Sequence, residues 1–142
     1  MLVNYFTREP HDIDWDGSVV LQSVPGRLDW KKIARPLPCG EGWVPEGFEF
    51  DGSSSGPFRF LIPKWRHPIA SARHDWRCEL IRQLIGDGMP MREAHRLRRV
   101  SDVLFREDLA LGQRGWCRKF VETNAGYIGV RVGALFRIGM RP

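Results

Sequence analysis

His74, Asp75 and Asp102 are the residues of this chain whose types and spacing are best suited to chemistry. A histidine held by a carboxylate can act as a general base near neutral pH, because the carboxylate fixes the tautomer and stabilises the imidazolium. His74 with Asp102 is the candidate catalytic dyad. The same pair can instead form a buried clamp between two helices, which costs little when it is fully hydrogen-bonded. The sequence leaves both interpretations open.

Oxygen ligands suggest a second kind of site beside this dyad. Asp75 follows His74 on one predicted helix and points about 100° away from it, so we do not expect it to be the histidine's partner. We interpret Asp75 as a candidate metal ligand, together with Asp51 and Gly52 in the glycine-rich loop. Such carboxylate and carbonyl oxygens suit a hard cation such as calcium. These residues do not by themselves require a cofactor. If they bind one, calcium is the ion that they favour.

Two predicted helices position these side chains. The first begins at Pro68, a residue favoured in the first turn, and runs to about Ile85. The second begins at Pro90 and ends near Leu111. Apolar residues at three- and four-residue steps give each helix a buried face. These residues are Ile69, Ala72, Trp76, Leu80 and Leu84 in the first helix, and Ala94, Leu97, Val100, Leu104 and Leu111 in the second.

The short connection from Gly86 to Met89 makes the two helices antiparallel neighbours. His74 lies twelve residues before Gly86, and Asp102 lies fourteen residues after Gly88. At about 1.5 Å per residue the difference in height is about 3 Å. We therefore expect the two side chains to come within contact distance.

A third helix is predicted from about Trp116 to Phe136. Gly126, Gly129 and Gly133 lie on or near one face of it, and each glycine weakens a helix by about 1 kcal/mol. They indicate either close backbone packing or a break into a strand-like tail. The alternation of apolar and polar residues over 130–132 favours the tail.

The first half of the chain, residues 1–66, reads as extended and irregular. Short strands are predicted at 19–21 and 48–50, with prolines interrupting the chain between them and a flexible loop at 52–57. We expect one α+β domain over residues 1–142. Its short-stranded, loop-rich half (1–66) packs on the antiparallel helix pair (67–111), and a C-terminal helix or tail (112–142) completes it.

Composition narrows the class of protein. The 142 residues, 42% hydrophobic and 27% charged, are typical of a soluble globular domain. No 18-residue apolar window is present and the first residues are too polar for a secretory signal, so we expect synthesis in a cytoplasm and no integral membrane partner. Three widely spaced cysteines predict neither a disulfide framework nor a zinc pair.

Tryptophans and arginines are the candidate partner-binding residues. The tryptophans of the proline-rich half either staple loops to the core or anchor a partner; they are Trp15, Trp30, Trp43 and Trp65. The net charge of +5 owes much to an arginine run on the second helix, where Arg98 and Arg99 are the candidate contacts. No nucleic-acid-binding motif accompanies the run. A solvated face or ion pairs to an acidic subunit are therefore favoured, with nucleic acid as the weaker alternative.

Three blocks of this sequence resemble a family of small proteins of tailed bacteriophages and prophages that is catalogued as a domain of unknown function. The blocks are a Val-Pro-x-Gly-Phe turn at 44–48 with its Asp-Gly-x-Ser loop from Asp51, a His-Asp pair at 74–75, and an Asp-x-x-Phe pair at 102–105. They cover about residues 40–110. Serine replaces the usual loop alanine, and Cys78 replaces a frequent aromatic. The resemblance implies a virion component of tail, baseplate or neck that binds neighbouring subunits.

The same helix pair is also similar to that of phospholipase A2 domains, including those of some viral capsids. That resemblance implies His74 as the base, Asp102 as its orienting partner, and Asp75 as a calcium ligand with a glycine loop over 52–56. The usual calcium-loop signature and disulfides of those domains are missing here. The alternative function is therefore a calcium-dependent hydrolase that acts on lipid or another envelope ester during host entry.

Overall fold

The computed structural model describes residues 4–9, 21–52, 65, 67–111 and 116–135, without the side chains of 111 and 116–120. Five strands are followed by three helices. The strands are β1 (Leu21–Val24), β2 (Arg27–Ile33), β3 (Leu37–Cys39), β4 (Gly42–Val44) and β5 (Glu49–Phe50). The helices are α1 (Pro68–Gly86), α2 (Met91–Leu111) and α3 (Trp116–Leu135). This is the α+β architecture that the sequence predicts.

The strands form two small antiparallel sheets. β2 is the centre of a three-stranded sheet in the order β1-β2-β5, and β3 pairs with β4 in a two-stranded hairpin. β5 confirms the strand predicted at 48–50, and it pairs Phe50 with Lys31. Of the strand predicted at 19–21, only Leu21 lies within the described residues, where it begins β1.

This half of the chain is more regular than its prolines suggested. Pro25 and Gly26 connect β1 to β2 rather than ending the strands, and Gly26 has a φ of 78°. Proline at the second position and a left-handed glycine at the third are the residues that a type II turn requires. Pro38 lies within β3, opposite Trp43. The short-stranded half is therefore as predicted, and it contains three further strands that the sequence did not indicate, β2, β3 and β4.

α1 packs between the sheets and α2, so its first half is buried on almost every side. On the sheet side Ile69 and Ala72 join a core of strand residues, which are Ile33, Leu37, Cys39, Val44 and Phe50. On the other side Ala70 packs with Phe105 and Leu109 of α2. The predicted stripe is right for Ile69 and Ala72. Trp76, Leu80 and Leu84 are only partly buried, whereas Arg73, His74 and Arg77 are buried.

α2 is the central helix and contacts both α1 and α3. Ala94 and Leu104 of its predicted face are buried, and Leu97 and Val100 are partly buried. The four-residue loop between α1 and α2, residues 87–90, contains Gly88 at a φ of 101°, in agreement with the antiparallel pairing predicted from its shortness.

α3 is a continuous helix to Leu135, so the predicted helix is confirmed and the strand-like tail at 130–132 is wrong. Gly126 and Gly129 are buried together with Ala125, and α3 packs against α2. Small residues on the inner face allow two helix backbones to approach closely, and the burial gained offsets the low helix propensity of glycine. Phe136, the predicted end, lies outside the described residues.

Gly40, in the turn between β3 and β4, has no room for a side chain. Its φ is 59°, and an added Cβ would meet Asn4 O at 2.6 Å and Tyr5 Cα at 2.8 Å. We predict that Gly40→Ala lowers the free energy of unfolding by about 2–4 kcal/mol, from left-handed strain and a backbone clash together. Urea denaturation followed by circular dichroism measures the change.

Gly47→Ala is the matched control for this substitution. Gly47 has a φ of 84°, but a Cβ there would meet nothing within 4 Å. Only the backbone strain of about 1–2 kcal/mol should therefore appear. Equal losses in the two variants would show that segment 4–9 does not lie against the turn.

Candidate functional site

His74 and Asp102 are in direct contact, as the helix count predicted. His74 Nε2 lies 2.7 Å from Asp102 Oδ1. The carboxylate is fully buried and the imidazole is 6% exposed. Because a carboxylate can only accept, the ring donates through Nε2–H, and a neutral His74 therefore carries its lone pair on Nδ1.

Two arginines share the same carboxylate. Arg98 Nε donates to Asp102 Oδ1 at 2.9 Å, and Arg131 Nη1 donates to Oδ2 at 2.8 Å. Arg98 also donates through Nη2 to the carbonyl of Val130 at 3.3 Å. Asp102 thus joins groups from α1, α2 and α3, and we call His74, Arg98, Asp102 and Arg131 the three-helix network.

The electrostatics of this network keep its charges paired. Burial would raise the pKa of Asp102, but the hydrogen bonds and charges of His74 and Arg98 outweigh it and hold that pKa below its usual value. Burial would likewise lower the pKa of His74, yet Cys78, Asp102 and Asp75 together raise it well above its usual value. The network therefore favours an imidazolium beside a carboxylate.

The other ring nitrogen of His74 faces two groups on its own helix. Nδ1 lies 3.9 Å from Asp75 Oδ1 and 3.9 Å from Cys78 Sγ. The ring packs at 4.8 Å between centroids against Phe105. The expectation that Asp75 points too far round the helix to reach His74 was thus wrong, because its side chain bends back toward the ring from the next position.

The three predicted metal ligands lie near one another without forming a recognisable cation site. Partial burial raises the pKa of Asp75, and the negative charge of Asp51 adds to the rise, which places the two carboxylates within electrostatic range. Gly52 is buried with a φ of 77°. Within the described residues, no three His, Cys, Asp or Glu side chains form a group that could hold a metal ion. Calcium takes six to eight oxygen ligands. Asp75, Asp51 and Gly52 could supply part of such a set, and the rest of the predicted loop, residues 53–57, lies outside the described residues.

A second buried charge network was not predicted. Arg73 donates to the carbonyl of Pro38 at 2.7 Å and to Asp108 Oδ1 at 3.2 Å. Arg77 donates to the carbonyl of Tyr5 at 2.8 Å and to Glu9 Oε1 at 3.1 Å. Burial raises the pKa of Asp108 to about 6. The spacing of Arg73 and Arg77, one helical turn apart, was the signal in the sequence.

Another buried pair joins α1 to α3. His67, which precedes the first residue of α1, places Nε2 3.1 Å from Glu122 Oε2, and both side chains are about 5% exposed. The sequence placed His67 at the helix entry, which is correct, but it gave no indication of this partner in α3.

The predicted partner-binding residues occupy different environments. Trp43 is 57% exposed and Arg99 is exposed. Trp30 is half-buried beneath the guanidinium of Arg27, at 4.5 Å. Trp65 packs against Phe50 and beneath Lys31, whereas Trp15 lies outside the described residues.

Arg98 is not a surface contact, and its assignment as one was wrong. It is 3% exposed and holds Asp102. Because it lies four residues before Asp102 on α2, it shares that residue's inward face. The remaining members of the arginine run are exposed; they are Arg92, Arg96, Arg99 and Arg106.

Comparison with known proteins found no matching family model, no matching curated protein and no matching solved structure. None of the helices in the described ranges is both long and apolar enough to cross a bilayer. Function is therefore inferred from this chain's own residues.

Asp102→Asn should be strongly destabilising. The substitution leaves three buried or half-buried cationic groups without their shared anion, and breaking such a pair typically costs about 3–5 kcal/mol. Glu107→Gln on the same helix is the control, because Glu107 pairs with Arg8 at the surface and its loss should cost under about 1 kcal/mol. Chemical denaturation of both variants measures the difference, and equal costs would contradict the network's importance.

The raised pKa of His74 predicts how stability varies with pH. The folded state holds this proton to higher pH than the unfolded chain, whose pKa is about 6.5. The free energy of unfolding should therefore fall as pH rises above about 6.5. His74→Gln should flatten that slope, while His95→Gln, at an exposed position of α2, should keep it. An unchanged slope in His74→Gln would show that this proton is not linked to folding.

Proposed function

We propose that this chain is a structural component of a bacteriophage virion, of the tail, baseplate or neck, that binds neighbouring subunits. The virion assignment rests on the resemblance of the three sequence blocks described above. The observation that carries subunit binding is an apolar stripe on the outer side of α3. Val121, Ile128 and Leu135 are 46%, 47% and 77% exposed. They are spaced seven residues apart, so they stay nearly in line along the helix for about 21 Å.

Exposed apolar surface in line along a helix is a common mark of a protein interface. The opposite side of α3 is occupied by its packing on α2, so the stripe is available to a second helix or sheet. In this interpretation the three-helix network is the clamp that holds α3 in place. The assembly role thus uses His74 and Asp102 without requiring them to do chemistry.

The surface charge indicates what kind of partner fits. The net charge is +5, and Arg92, Arg96, Arg99 and Arg106 are exposed along α2. A partner that carries an apolar strip and acidic residues complements this surface, since opposite charges favour association. Neighbouring virion subunits of that chemistry are the proposed partners.

The test uses intact particles of the phage or prophage that encodes the chain. Burying one isoleucine contributes about 2 kcal/mol, so Ile128→Asp should weaken incorporation by at least about 30-fold. Leu28→Asp is the control, because Leu28 is 93% exposed on β2, outside the stripe. Gradient-purified particles are analysed by quantitative mass spectrometry.

Two results of that experiment would contradict the proposal. In the first, infectious particles contain none of the wild-type chain. In the second, wild-type particles contain the chain and the Ile128→Asp variant is incorporated as well as Leu28→Asp. Circular dichroism of both purified variants establishes that each is folded.

A hydrolase is the second candidate, and one specific observation favours it. Asp102 holds Nε2 of His74, which leaves the lone pair of Nδ1 on the side of Asp75, whose side chain is 33% exposed. Only the neutral ring can take a proton from water at the edge of the site, and because the pKa of His74 is raised, such activity should increase as pH rises above the usual histidine range. The predicted calcium requirement rests on Asp75, Asp51 and Gly52.

Ester hydrolysis by the purified chain distinguishes the two candidates. A hydrolase should cleave phospholipid or short-chain esters, and His74→Gln should reduce the rate by at least about 100-fold while His95→Gln keeps it. The assay is run with calcium and with a chelator. Activity at the level of buffer alone in both conditions would eliminate the hydrolase and leave the assembly role.

A further inference from the structure

Cys78 lies against the three-helix network and belongs to neither function proposed above. It is one helical turn after His74, and its Sγ is 3.9 Å from Nδ1. His74 in turn holds Asp102 through Nε2 at 2.7 Å. A thiol, an imidazole and a carboxylate thus follow one another in the order of nucleophile, base and orienting group.

We propose that Cys78 is a reactive thiol activated by His74 and Asp102, and that its reaction partners are small hydroperoxides. The tautomer set by Asp102 is the first support. With one ring proton fixed on Nε2, the second proton of the imidazolium lies on Nδ1, the nitrogen that faces Cys78, so the thiol proton can be held there in a thiolate–imidazolium pair. The resulting imidazolium keeps its bond to the carboxylate.

Positive charge around the sulfur is the second support. Arg98 lies close enough that its charge interacts with Cys78, and this interaction, against the opposing effect of burial, raises the pKa of Arg98. The charged groups facing the pair come from every element around it: Asp75 on α1, Arg98 and Asp102 on α2, Arg131 on α3 and Asp51 after β5. Arg98, Arg131 and the imidazolium supply the positive charge that favours a thiolate in reactive cysteines, and the three carboxylates oppose it.

Limited access selects the size of the reaction partner. Cys78 is 8% exposed and His74 is 6% exposed. Hydrogen peroxide is little larger than water, so a residue of that exposure admits it more readily than any larger oxidant. A peptide or an acyl chain cannot reach it without opening the helix pair.

The reaction is balanced by the groups present. The thiol proton passes to Nδ1, and the thiolate attacks one oxygen of the peroxide. The O–O bond breaks and an S–O bond forms, so the sulfur is oxidised to sulfenic acid and the peroxide is reduced. The departing hydroxide takes the proton from the imidazolium and leaves as water.

Cys39 provides a control inside the same molecule. It is fully buried, and burial raises its pKa to about 11, so it should be inert. Cleavage after lysine and arginine separates Cys39, Cys78 and Cys117 into different peptides. The folded chain is treated with hydrogen peroxide at pH 7, sulfenic acid is trapped with dimedone, and each cysteine is quantified by mass spectrometry.

Cys78 should be labelled at least about tenfold faster than Cys39, and His74→Gln should remove most of that advantage. His95→Gln, the same change at an exposed histidine, should leave it intact. Labelling of Cys78 no faster than that of Cys39 would overturn the proposal. So would a folded His74→Gln variant that reacts at the wild-type rate.

A second measurement applies even if His74→Gln does not fold. Cys78→Ser changes only one atom, and the ring signals of His74 can be followed by nuclear magnetic resonance as pH is varied. Since Cys78 contributes to the raised pKa of His74, its loss should lower that pKa. A pKa of His74 that is the same in both proteins would contradict the coupling.

Discussion

One buried carboxylate, Asp102, determines how the helices of this protein meet. It is fully buried, and an isolated anion there would be strongly destabilising. It is tolerated because α1, α2 and α3 each supply a donor, from His74, Arg98 and Arg131. Each donor also fixes a helix in height and rotation. A polar group of this kind specifies one arrangement, whereas apolar contacts alone allow helices to slide.

The helical half was predictable because its signals are local. Pro68 and the glycines near 86–88 mark helix ends, and the short connection brought His74 level with Asp102 by counting alone. The strands were harder. In the sequence alone Pro25 indicates the end of a strand. The positive φ of Gly26 shows that the two residues form a turn that connects β1 to β2. The strand pairings of β2 depend on contacts that no local pattern encodes.

The site was predictable only in part, for a related reason. The sequence identified the dyad, but it placed Arg98 on the surface because an arginine in a basic run is usually solvated. The burial of Arg98 follows from its position one turn before Asp102. Arg73, Arg77 and Asp108 were missed because their partners are distant in sequence. The role proposed for Cys78 depends on which nitrogen of the His74 ring faces it, and no sequence pattern encodes that orientation.

The attachment of segment 4–9 has a consequence for the order of events during synthesis. Arg77 holds two of its carbonyls, and Arg8 pairs with Glu107, 99 residues further along the chain. Gly40, Glu41 and Arg77 also contact this segment and are made before α2, so most of its contacts can form first. The Arg8–Glu107 pair closes the longest loop, and contacts of such separation form slowly, so it should be the last contact of the segment to form during folding.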